Sequence, residues 1–407
     1  MSKSLARLRQ SSRHFSAVLL ALMMGISTVA LAQVNAVYIE NNIGQLPDRN
    51  TIIGLSNDGT GKLTPFPGGQ VLTNGTGVVS SPAVNGPSFQ SDQQVVVNGA
   101  GTLLFAVNGG SNTISVFSIA NTGVLTLLST TPVPSNGSEP VSLGLDENSP
   151  VGPYLVVVNQ ADDPNQPGQT PNITAFRVDE ATGTLTPVGN STVNYPDGSI
   201  PAQAPISPSG RFAFVVQFQG GGNFCSYAIG AAGKLILNNC FGPSVGTSFL
   251  GAAVHPKKRA AYVGMPTTGF FSVFDYNPGG GLSFTRLVGN NGSGLSFMTT
   301  NKLGTRLYTS ESGSNTVSVY DISAAKFNNP ALLQFFSLTG GEAAANVKLD
   351  PTEKFLYVLG LNASGTTGNF LHVLNVATDG TLTETQSALK LPIHAGEIPM
   401  GLAVVKR

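Results

Sequence analysis

Short apolar runs alternating with polar turns fill this chain, and no helical period is sustained after its first thirty residues. Arg306 to Ile322 sets the pattern, reading R-L-Y-T-S-E-S-G-S-N-T-V-S-V-Y-D-I. Leu307-Tyr308-Thr309 predicts one strand. Thr316 to Ile322 predicts a second, with Val317, Val319 and Ile322 as its apolar positions. Gly313-Ser314-Asn315 supplies the turn between them. Related stretches recur at Val37–Ser56, Leu104–Ile119, Tyr154–Val178, Phe212–Ile229, Ala260–Tyr276 and Phe355–Val376, making seven copies.

Each copy extends to four strands. In the second, Gln94–Asn98, Leu103–Val107, Thr113–Ile119 and Val124–Leu128 are separated by glycine turns. Four antiparallel strands repeating roughly every 50 residues describe propeller blades. The predicted fold is all-β, a seven-bladed propeller. First strands begin near Gln93, Pro140, Pro201, Phe249, Leu295 and Ala344. The seventh is Pro399–Val405, which should complete the blade begun by Ala36 to about Leu72 and so close the ring.

The first 32 residues read differently. Lys3, Arg7, Arg9 and Arg13 precede an apolar run from Phe15 to Leu31, and Ala30-Leu31-Ala32 offers a small-residue cleavage site before Gln33. This is a signal-peptide pattern. The expected mature protein is a single propeller domain over residues 33–407, periplasmic or secreted, with no membrane span. The whole chain has 21 basic and 21 acidic residues. Removing the four basic residues of the leader leaves 17 against 21. No basic stripe runs along the sequence, so nucleic acid is not an expected partner. Cys225 and Cys240 lie symmetrically about the turn Ala232-Gly233 and should face each other as a disulfide on one hairpin.

The repeat resembles the seven-bladed propeller lactonases, which include bacterial 6-phosphogluconolactonases and fungal carboxymuconate cyclases. The residues that carry this resemblance are S-P-S-G-R-F-A-F-V-V at Ser207–Val216, N-T-V-S-V-Y at Asn315–Tyr320, D-P-T-E-K-F-L-Y-V at Asp350–Val358, and the turns Thr122–Thr126 and Thr182–Thr186. The strand pair also resembles the YVTN repeats of cell-surface propellers. Against the lactonase pattern, Ala202-Gln203-Ala204 stands where the family has His-x-His, and Gln217 to Gly221 replaces an acidic segment. Gly294 to Phe297 stands where the family has Pro-Arg-His, while Ser310-Glu311 matches its Asn-Glu.

The resemblance implies lactone hydrolysis, which needs a base to activate water and donors or a cation to hold the oxyanion. Loops at one end of the ring should bring Glu40, Glu311, Glu342, His394 and Glu397 to the channel mouth, with Glu311 and His394 as the candidate acid–base pair. Glu40, Glu342, Glu397, Asn108, Asn159 and Asp162 are candidate binding residues. Asn108 and Asn159 end second strands, and Asp162 lies in the long loop Gln160–Pro171. No cofactor is expected, although these carboxylates with Asn41 could hold a divalent cation. His255 and His372 read as structural. A monomer is expected, acting on a small lactone or carbohydrate. The alternative is a non-catalytic envelope propeller that binds a glycan or a cell-envelope protein at the mouth.

Overall fold

Strands that the alternation predicts pair antiparallel with their sequence neighbours within each blade, the C-terminal strand excepted. The computed structural model describes residues 35–42, 50–78, 91–149, 151–163, 165–246, 248–362, 368–393 and 398–407. These form seven antiparallel sheets, four with four strands and three with a further short strand paired to the third; in six of them the strands run in sequence order from the channel outward. The first strands of blades two to seven are Val95–Val97, Pro140–Asp146, Ile200–Gln203, Ala252–Val254, Leu295–Thr300 and Ala343–Leu349. Blade one takes its first strand from the other end of the chain. Met400–Lys406 pairs with Asn35–Glu40, Ala36 opposite Val405 and Tyr38 opposite Ala403. The one helical element among the described residues is the 3-10 turn Ala231–Gly233. No helix there is long and apolar enough to cross a membrane.

Second and third strands are almost wholly buried, as in Leu103–Asn108 and Tyr154–Asn159, because both faces pack against neighbouring blades. Apolar clusters therefore fill the gaps between blades rather than one central core. Buried tyrosines on second strands pin four of the gaps. The Tyr38 hydroxyl donates to the Gly123 carbonyl (2.6 Å), Tyr262 to Phe327 (2.8 Å) and Tyr308 to Gly380 (3.1 Å), each on the next blade. Asn57 closes the same contact from blade one to Tyr357 of blade seven (2.6 Å).

Around the channel the first strands approach too closely for side chains at some positions. A Cβ at Gly144 would strike the Ala204 carbonyl, and one at Gly251 the Ser296 carbonyl. Cys225 and Cys240 sit opposite each other in the blade-four ladder and are joined by a disulfide.

Two outcomes follow for stability. Truncation after Glu397 removes the strand that closes blade one and exposes two sheet edges. It should abolish cooperative unfolding by calorimetry, whereas removal of Lys406 and Arg407 alone should leave a transition. The Cys225→Ser/Cys240→Ser variant loses a cross-link spanning 15 residues. It should unfold in denaturant with about 3 kcal/mol less stability.

Candidate functional site

Second strands end at the channel mouth, and four of the sequence-picked polar residues, Asn108, Asn159, Glu311 and Glu40, occupy that terminal position. Each is drawn into the joint between blades. Asn108 accepts from the Thr73 hydroxyl (2.6 Å) and donates to Ser115 (2.9 Å). Asn159 donates to Asn172 (2.9 Å) and to the Ser135 carbonyl (3.4 Å). Glu311 accepts from Asn290 (2.9 Å) and Thr309 on one oxygen and from Thr316 (2.9 Å) on the other. Gly75, Gly137 and Gly292, on the crossing segments between blades, leave the room these side chains occupy. Glu311 is fully enclosed, and burial pushes its carboxyl up to about 6.

None of the other described candidates makes a hydrogen bond or ion pair to Glu311. Glu40 is also fully buried and accepts from Asn50 (2.7 Å); burial raises its carboxyl well above the usual range. Asn41 donates within blade one, to Thr51 (2.6 Å) and Gln70 (3.1 Å). Asp162 gives its amide to the Glu139 carboxylate (2.5 Å), and burial raises its own carboxyl. Glu342 reaches blade seven's buried His372, with Oε2 3.9 Å from Nε2. Glu384 holds the other ring nitrogen at 2.6 Å. His255 caps its turn by accepting from the amides of Lys257 and Lys258 (both 3.0 Å). His394 and Glu397 lie outside the described residues. Among the described residues no three His, Cys, Asp or Glu side chains are arranged to hold a metal ion.

The channel itself carries a polar belt that reasoning along the chain missed. Gln203 donates to Asp92 Oδ1 (2.5 Å) from blade four to blade two, reaching past blade three. Its carbonyl oxygen accepts from the Ala252 amide of blade five (2.6 Å). Asp92 is nearly buried, and that burial pushes its carboxyl up to about 6, against the Lys348 ammonium and the Gln203 hydrogen bond, which pull it down. On the blade-one strand between them, the Leu402 amide donates to the Asp92 carbonyl (3.2 Å) and the Gly401 amide to Asn346 Oδ1 (2.8 Å). Among the described residues, Asn346 Nδ2 is buried with no hydrogen-bond partner, and so is Ser142 Oγ on blade three. A polar residue in an otherwise apolar first strand, such as Gln203 between two alanines, was the available signal. Those alanines, Ala202 and Ala204, are buried in an apolar cluster with Val141, Leu250, Phe297 and Met400.

Residues 33–198 match the sequence model of the family described as "Lactonase, 7-bladed beta-propeller". Over those residues, less than half of the chain, the sequence is similar to that family. No curated protein matches it in sequence. The solved structure of Pseudomonas aeruginosa periplasmic gluconolactonase is similar at 16% identity and a TM-score of 0.71, over 92% of this chain and 99% of that one. A putative 6-phosphogluconolactonase from Bacteroides uniformis is similar at 16% identity and 0.67, over 92% and 99%. A Lactobacillus plantarum protein is similar at 18% and 0.67, again over 92% and 99%. At such identities these likenesses establish the propeller fold alone.

Its buried acids give stability a defined pH dependence. Asp92 and Glu311 both hold protons more tightly folded than unfolded. Folding therefore takes up protons, and this contribution is lost as pH rises through about 6. The melting temperature should increase when pH is lowered from 7.5 to 5.5, and Glu311→Gln should flatten that slope.

Proposed function

We propose that the protein is an exported lactonase-family propeller that hydrolyses a small lactone in its channel. One observation carries the reading. A buried carboxyl poised near pH 6, Asp92, flanks the same Gly401–Leu402 step as a buried amide donor without a partner, Asn346. Ionised Asp92 would take a proton from the water attacking the acyl carbon. Asn346 Nδ2, with the Lys348 ammonium nearby, would hold the oxyanion until the ring C–O bond breaks and Asp92 returns its proton to the leaving oxygen, giving a hydroxy acid. Gln203 orients Asp92. Export is supported by the leader pattern and the disulfide, and it accords with the periplasmic source stated for the Pseudomonas neighbour.

A second reading has its own support. Alanines occupy the two positions where the resembled family has histidines, and both are buried among apolar side chains. The family-matched Glu311 is enclosed. A non-catalytic propeller that binds a glycan or envelope protein at the mouth fits those features.

Hydrolysis by purified Gln33–Arg407 should be measured against sugar and aliphatic lactones. The expected result is turnover that rises through about pH 6 as Asp92 ionises, and a fall of about a hundredfold or more in kcat for Asp92→Asn. Loss in Glu311→Gln with Asp92→Asn unaffected would move the site to blade six, with Glu311 and His394. No turnover on any lactone, from folded protein, would favour the binding reading.

A further inference from the structure

On the face opposite the mouth, the first-to-second turns of blades four and five border a cleft of about 640 Å3. Arg211 enters it from one blade, and Lys257, Lys258 and Arg259 from the next. All four side chains are exposed, and none forms an ion pair among the described residues. The single carboxylate in the lining is Asp275, whose Oδ1 is buried. Four unpaired cations in one cleft are conspicuous in a chain where only one residue in ten is charged. Their field reaches neighbouring groups. His255 is held below its usual value chiefly by burial and further by Lys258 and Lys257, and Arg259 opposes the burial-raised Tyr276 hydroxyl.

Aromatic rings and prolines alternate with the cations in the lining of the cleft. Arg211 lies 5.6 Å over the Phe212 ring and Lys258 5.7 Å over Phe327, so the guanidinium and ammonium groups are spread on aromatic faces. Pro208, Pro256 and Pro278 complete the rim. The exposed Pro208 and Pro278 and the half-buried Phe327 suit the C–H faces of sugar rings, and separated cations suit charges on successive rings. A nucleic-acid backbone would need cations continued along a longer track, and the four here are confined to one cleft.

We infer that this cleft binds an acidic oligosaccharide, with Arg211, Lys257, Lys258 and Arg259 taking its carboxylates and the rim taking its ring faces. The cleft is separate from the channel, so the inference stands whether or not the lactonase reading does.

Calorimetric titration of the full mature chain with digalacturonate, cellobiose and pyrophosphate tests it. Digalacturonate should bind, weaken as salt is raised from about 50 to about 300 mM, and bind much more tightly than neutral cellobiose. Lys257→Glu and Arg259→Glu should each raise the dissociation constant about tenfold or more, with melting temperatures unchanged because both side chains are exposed. Equal binding of cellobiose and digalacturonate, or unchanged affinity in both charge reversals, would overturn the proposal. Pyrophosphate binding more tightly than digalacturonate would overturn the sugar assignment, making the cleft a site for small phosphates.

Discussion

Everything in this fold depends on one antiparallel pairing between the two ends of the chain. Seven twisted sheets arranged about an axis have no hydrophobic core of their own; each buries its faces only against its neighbours. An open ring would leave two blade faces and two strand edges in water. The register of Met400–Lys406 on Asn35–Glu40 removes both at once. The same constraint explains the contacts across each gap. Tyr38, Tyr262, Tyr308 and Tyr357 all make hydrogen bonds to an adjacent blade. A hydroxyl buried between blades must find a partner there, and doing so fixes the spacing of one blade against the next.

The polar residues at second-strand ends follow from the same requirement. Where the chain crosses from the outer strand of one blade to the inner strand of the next, its backbone passes over a strand end that is already buried. Asn108, Asn159 and Glu311 satisfy that passage with side-chain hydrogen bonds. A carboxylate can do so at Glu311 because three donors surround it, yet desolvation still raises its carboxyl to about 6. A matched acid at a family position is therefore compatible with a joint-forming role as well as a chemical one.

The fold was legible in the sequence for a local reason. A blade is a series of hairpins between near neighbours, and each hairpin writes its own alternation and its own glycine turn. Gly123 shows how direct the signal is. It has a positive φ of 82° and the Phe66 ring stands where a side chain would begin. Cys225 and Cys240 were legible on the same basis, since their symmetry about a turn is a statement about one hairpin. The channel belt was not. Asp92 and Gln203 are 111 residues apart and meet only because the ring places their strands across a channel. No alternation within a strand records which polar side chain will reach past a neighbouring blade. His372 illustrates the converse. As a third-strand residue it reads as packing, and it is indeed buried, but its partners Glu384 and Glu342 come from the outer strand and the entry to blade seven.

Charge distribution shows most clearly what linear reading loses. Along the sequence, Arg211 is an isolated cation and Lys257-Lys258-Arg259 a short run, and neither amounts to a stripe. The ring sets successive blades side by side with equivalent turns on a common face, so the two become one cleft. Carboxylates at the opposite end follow the reverse course. Glu40, Glu311 and Asp92 are withdrawn from water into joints and channel, where neutral donors meet all three and the Lys348 ammonium also acts on Asp92. Uncompensated burial raises a carboxyl and leaves its proton available near neutral pH, whereas exposed, unpaired cations keep their charge and attract anions from solution. The two ends of the propeller are thus suited to different chemistry, proton transfer within the channel and recognition of anions beneath it.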